Sequence, residues 1–165
     1  MLKKYIFGCL FFLLALGACE RDDICAASTP TTPQLVIAFF DANNRTESKA
    51  INLTVRAVGL DNSITIENDT IISIPLRTDT TSTTFIFTKN PGILDAVEDP
   101  DNSDRVTFNY NINEVYIDRA CGFKVTYDAL TAQATDGEDG RWITDISINN
   151  STIINDSIYQ VSIIH

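Results

Sequence analysis

The chain has 165 residues, 44% of them hydrophobic, with 22 acidic against 12 basic side chains and a formal net charge of −10. That length suits one domain with a sizeable core, and the acidic balance repels phosphate backbones, which argues against nucleic acid as a partner. The single histidine, His165, is the last residue, so it reads as a frayed terminus, and zinc, Ser-His and Cys-His schemes lack their parts.

In chain order, residues 1–18 read as a processing segment rather than as part of the fold. Lys3 and Lys4 supply a positive start, and Tyr5 to Leu16 is an apolar stretch shorter than the roughly 20 residues that span a bilayer. Leu16-Gly17-Ala18-Cys19 resembles the lipobox of bacterial lipoproteins, in which the peptide is cut before an acylated cysteine. The expected mature chain therefore starts at a lipid-carrying Cys19, and several acyl chains on one residue hold it in a membrane. Loss of the two lysines makes that mature chain still more acidic, so the lipid rather than the protein surface has to secure it. Glu20-Arg21-Asp22-Asp23 resembles the surface-export signal of Bacteroidota lipoproteins, and otherwise reads as a solvated tether. It points to the outer membrane, with the cell-surface face favoured over the periplasmic one.

Cys9 leaves with the signal and Cys19 takes the lipid, which leaves Cys25 and Cys121. An even pair in an exported domain is expected as a disulfide, with two free thiols as the alternative. Closing so long a loop stabilises by roughly 4–5 kcal/mol in the chain-entropy model. Ser28-Thr29-Pro30-Thr31-Thr32-Pro33 is a stiff, extended lead-in, so residues 19–33 form the tether and the domain runs over 34–165.

Within that domain the pattern predicts strand after strand. Leu35 to Phe40 is continuously apolar. Ile51 to Arg56, Val106 to Ile112, Phe123 to Tyr127, Ile146 to Ile148 and Tyr159 to Ile163 alternate with period two, as half-buried strands do. Turn signals separate them at Asp41 to Asn44, Gly59 to Ser63, Asn90 to Gly92, Asp99 to Asp104 and Asp136 to Gly140. The expected fold is an all-β antiparallel sandwich of Ig-like architecture with seven to nine strands, and a barrel is the alternative. Most alternating segments are shorter than the roughly 9–11 residues of a spanning strand, which argues against an outer-membrane barrel. Trp142, Tyr110, Tyr116, Tyr127 and Tyr159 are the faces a sugar platform could use, and of these Trp142, Tyr110, Tyr127 and Tyr159 are expected in the core instead.

Candidate chemistry is sparse, and neither a catalytic residue nor a cofactor is expected. Carboxylates abound, so a two-carboxylate hydrolase is the least favoured reading rather than an impossible one, because most acids sit in turn signals where water keeps them ionised. Asp99, Asp101 and Asp104 form the one Ca²⁺ candidate, in a loop that lacks the glycine and closing glutamate of an EF-hand. Thr70, Thr80 and Ser157 each follow an aspartate in tripeptides that resemble the O-glycosylation motif of Bacteroidota.

Larger blocks carry a broader likeness. Cys19 to Cys25, Thr29 to Ile37, Ile74 to Asp79, Phe85 to Asn90 and Glu114 to Phe123 together resemble an uncharacterised flavobacterial-type lipoprotein family of Bacteroidota, domain-of-unknown-function family DUF6452. The resemblance implies a Gram-negative envelope, supports pairing Cys25 with Cys121, and carries over no catalytic residue. These readings converge on a non-catalytic, lipid-anchored outer-membrane module that meets an envelope protein. A surface glycan-binding module is the alternative.

Overall fold

The computed structural model describes residues 24–90, 102–137 and 140–165. They contain nine strands and no helix: β1 (Leu35–Phe40), β2 (Ile51–Ala57), β3 (Ser63–Asp69), β4 (Ile71–Ile74), β5 (Ser82–Lys89), β6 (Asn102–Asp118), β7 (Gly122–Thr135), β8 (Asp145–Ile148) and β9 (Val161–Ile164). The expected signal segment, Cys19 and the acidic cluster at residues 20–23 lie outside the described residues, as do Asp99 and Asp101.

The described residues fall into two compact units. The larger one, residues 31–115 and 124–165, is a sandwich of two open sheets, in the order β4-β1-β9-β8 and β3-β2-β5-β6-β7. All-β and nine strands match the expectation, and two separate sheets replace the closed barrel. The first and last strands pair in parallel, Ile37 opposite Val161 and Phe40 opposite Ile164. The core lies between the sheets. Leu35, Ile37 and Phe39 of β1 and Val161 and Ile163 of β9 meet Leu53 and Val55 of β2, Phe85 and Phe87 of β5, and Val106 and Phe108 of β6 in one cluster. Strict alternation in β2 and β5 sends these side chains inward and leaves threonines, an isoleucine and an arginine on the opposite face. Such a two-sided pattern is what an antiparallel sheet with one dry face requires.

Three expectations need correction. Asn102 to Asp104 belong to β6 rather than to a turn, because the carboxylate of Asp104 finds its partners inside the fold. Tyr159 is 40% exposed and lies before β9, its ring 6.0 Å from that of Phe40. His165 is buried, not frayed: its N–H donates to Phe40 O at 3.0 Å, and its carbonyl accepts from the Ala42 N–H at 3.0 Å. The ring sits edge-on to Phe39 and Trp142, with centroids 6.0 and 5.8 Å away.

The smaller unit contains residues 24–30 and 116–123 among those described. It is closed by a disulfide between Cys25 and Cys121, with Cα atoms 4.8 Å apart and a sequence separation of 96. The Asp118 carboxylate accepts the Cys121 N–H at 2.7 Å, an acidic side chain bonding the backbone just ahead of it as turn aspartates do.

Candidate functional site

The outward face of the five-stranded sheet is built by register. Arg56 on β2 stands opposite Ile86 on β5, and Ile86 stands opposite Arg105 on β6. Strands lie about 4.8 Å apart, so the two arginine backbones are about 10 Å from one another with one aliphatic side chain between them. The adjacent row is hydroxylic: Thr65, Thr54, Thr88 and Ser103 stand opposite one another across β3, β2, β5 and β6. Thr54 and Thr65 share a hydrogen bond of 3.3 Å, and Thr88 and Ser103 one of 2.8 Å. On the other side of the arginine row Thr84 pairs with Thr107 at 2.9 Å.

A cleft of about 690 Å³ opens over this face, lined by Thr54, Arg56, Ile86, Thr88 and Arg105, with Asp136 at its margin. One Arg56 N–H donates to Leu60 O at 3.3 Å, and Arg105 has no acceptor among the described residues. Asp136 is only loosely held, 3.8 Å from Arg141. In a chain of net charge −10, this is a cationic strip bordered by hydroxyls. Guanidinium forks recognise carboxylate, sulfate or phosphate oxygens in pairs, and the hydroxyl rows add donors and acceptors.

A second, more apolar groove of about 580 Å³ lies at the end of β2 and β5, lined by Val58, Leu60, Pro75, Leu76, Arg77 and Phe85 among others. Thr83, one of its lining residues, belongs to a buried polar network. Tyr110 Oη donates to Arg77 O at 2.9 Å and meets Thr83 Oγ1, which accepts the Arg77 N–H at 3.1 Å. Burial raises the Tyr110 hydroxyl above its ordinary range, and pushes that of Tyr127, whose ring stands edge-on to it at 5.1 Å, up to about 12. Both hydroxyls stay protonated and hold backbone carbonyls: Tyr127 Oη donates to Leu76 O at 3.3 Å.

The residues singled out by sequence are dispersed. Asp104 is fully buried; one oxygen accepts the N–H groups of Trp142 (3.0 Å) and Ile143 (2.8 Å), and the other accepts that of Gly137 (3.4 Å). It ties β6 to the approach to β8. Among the described residues no three His, Cys, Asp or Glu side chains form a metal-holding group. Trp142 is buried, and its indole N–H donates to Phe87 O at 3.2 Å. Thr70 and Thr80 are half-buried and Ser157 is exposed; all three lie outside the strands.

Among the described residues, the carboxylates whose acidity departs from the ordinary all move downward. The Lys49 ammonium, 2.9 Å from Asp41, and the Asn43 N–H hold that carboxyl down at about 2. Arg77 lowers Asp79, and the amides of Asn113 and Asn111 lower Asp128. Burial lowers His165, whose two ring nitrogens have no hydrogen-bond partner among the described residues.

The arginine row was missed in the sequence. Arg56 and Arg105 are 49 positions apart, and only the β5 register brings them to one rank. Its one visible signal was the polar half of each alternating segment.

The chain belongs to the family of unknown function DUF6452, whose model matches residues 52–165. That stretch runs from β2 to β9 and includes both arginines and Cys121. No curated protein and no solved structure matches the chain.

Proposed function

We propose that this member of the family is a lipid-anchored, non-catalytic binding module of the bacterial outer membrane, and that it meets its partner with the outward face of its five-stranded sheet. The observation that carries the reading is the Arg56-Ile86-Arg105 rank flanked by hydroxyl rows, a cationic strip on an otherwise acidic chain. The partner is an envelope protein that presents carboxylates. The Cys19 lipid holds the module at the membrane and raises its local concentration beside that partner. A general acid needs a carboxyl raised above its usual range; among the described residues the shifts, at Asp41, Asp79 and Asp128, are all downward.

Affinity purification from the native outer membrane tests this. The wild-type protein should bring down a stoichiometric partner, and Arg56→Glu with Arg105→Glu should lose it while the fold stays intact. Retention of the partner by the double variant, or repeated failure to find one with wild type, overturns the reading. The anchor is tested separately, because Cys19→Ala should leave the membrane fraction and accumulate as precursor. A glycan-binding module is the second reading, favoured by the hydroxyl rows. Trp142 is buried and offers no platform on this face, so a glycan bound here would be an acidic one held by the arginines.

A further inference from the structure

We infer that the turn joining β6 to β7 is a membrane-contacting foot: Tyr116 and Phe123 rest in the headgroup zone of the bilayer that holds the Cys19 lipid. The inference rests on the lipid-anchored reading and adds a contact that the anchor alone does not require. Tyr116 is 59% exposed and Phe123 64%, yet their rings pack edge-to-face with centroids 5.3 Å apart. Two large apolar rings standing together in water are costly, and the interfacial zone is where amphipathic aromatic rings collect.

The disulfide brings the anchor to the same place. Cys121 precedes Phe123 by two residues and is bonded to Cys25; Ile24, beside it, is 80% exposed. Cys19 lies six residues before Cys25, so even a fully extended tether spans only about 20 Å. A bilayer leaflet that takes the acyl chains of Cys19 is therefore within short reach of the aromatic pair. The charge also fits. Among residues 24–30 and 116–123 the charged side chains are Asp118 and Arg119, one of each sign, so the foot itself adds no net repulsion from anionic lipid, and the acidic residues 20–23 fall on the tether that the lipid holds.

A second copy of the chain fits less well. Two rings bury at most about 250 Å² each, well short of the roughly 800 Å² per partner of a stable interface.

The test uses the protein as cells export it, purified from membranes and reconstituted into phosphatidylethanolamine–phosphatidylglycerol vesicles with brominated acyl chains. In Phe123→Trp the introduced indole should shift to the blue and lose most of its emission relative to unbrominated vesicles. Trp142, buried in the other unit, should stay unquenched in the parent protein. Adding Tyr116→Ser should weaken the quenching severalfold, and Ile24→Trp provides a second reporter. Protein that floats with the vesicles while both reporters stay unquenched overturns the foot and leaves the anchor standing. Cross-linking of two copies through residues 116–123 overturns it in favour of self-association. Protein that does not float overturns the anchor and, with it, the foot.

Discussion

The two units are stabilised in opposite ways. The sandwich unit is held by what it hides: Phe87, Phe108, Leu53, Ile163 and Tyr127 are fully buried, and burial of each such side chain contributes about 1.5–3 kcal/mol. Among the described residues of the smaller unit, Tyr116, Phe123 and Ile24 are exposed, and one covalent bond, Cys25 to Cys121, joins its two stretches. The difference teaches that two apolar rings on a strand do not imply a core. In the sandwich the alternating partner residues find an opposing sheet, whereas at the β6–β7 turn the aromatics remain free for something outside the chain.

Damage to the sandwich should produce the largest effect. The Phe87 ring is fully buried and stands edge-on to that of Phe85 at 6.3 Å, and the Phe87 carbonyl accepts the Trp142 indole N–H. Phe87→Ala should cost about 3–5 kcal/mol, read as a fall in the urea midpoint with little change in slope. Tyr116→Ala in the smaller unit should move that midpoint by no more than about 0.5 kcal/mol. If the two substitutions cost the same, the contrast between the units is false.

Breaking the disulfide should come next, at about 2–5 kcal/mol. Although the bond lies in the smaller unit, its effect is global: it acts on the unfolded chain, by closing a separation of 96 residues. Cys25→Ser with Cys121→Ser should therefore lower the midpoint of the sandwich itself. A loss confined to residues 24–30 and 116–123 in hydrogen exchange, with the global midpoint unmoved, would show that the staple works only locally.

Reductant and pH should separate the units further. The paired cysteines do not titrate. In the sandwich, burial keeps His165 below its ordinary 6.5, so the unfolded chain takes up the proton more readily. The stability from the neutral ring is complete above about pH 6.5 and is lost as pH falls below it. Asp41, at about 2 against an ordinary 3.8, contributes above the higher value and loses its share between the two. Urea midpoints should therefore fall from about pH 7 to about pH 5, and His165→Gln should flatten that slope without changing the response to reductant.

Parts of the sandwich were legible from their apolar pattern. The alternation of β2 and the middle of β6 stands out in the sequence, as does the continuous apolar run of β1. β3 does not, because its residues are almost all exposed and its strand character comes from pairing with β2. Asp104 misled for a physical reason. An aspartate near Pro and Asn reads as a turn, and its real partners, the N–H groups of Trp142 and Ile143, lie 38 and 39 residues away. His165 misled in the same way: a chain end looks free until Phe40 O and the Ala42 N–H are brought to it by the parallel pairing of β1 with β9. The candidate site was the least legible part, since a rank across three strands exists only once the register does. The cysteine pair was the most legible, because counting cysteines needs no register.

The smallest effects allow a matched comparison of the two backbones. Gly122 in the smaller unit has φ +71°, and a β-carbon there would meet nothing within 4 Å. Gly122→Ala therefore tests backbone strain without a steric clash and, after the stiffening of the unfolded chain, should cost about 1 kcal/mol. Ala129, in the β7 portion of the sandwich, already bears that strain at φ +52°. It lies between Tyr127, bonded in both directions to Ile153, and Leu130, whose N–H donates to Ser151 O, so cross-chain bonds on both sides hold it there. Ala129→Gly relieves the strain but loosens the unfolded chain, which leaves a net gain of about 0.5 kcal/mol. Opposite signs in one set of urea midpoints would mean that the sandwich tolerates strain because its pairing is over-determined, whereas the turn, with few bonds of its own, depends on a residue that needs none. Equal losses from both substitutions would instead mean that the left-handed conformation at Ala129 is not the one the folded chain adopts in solution.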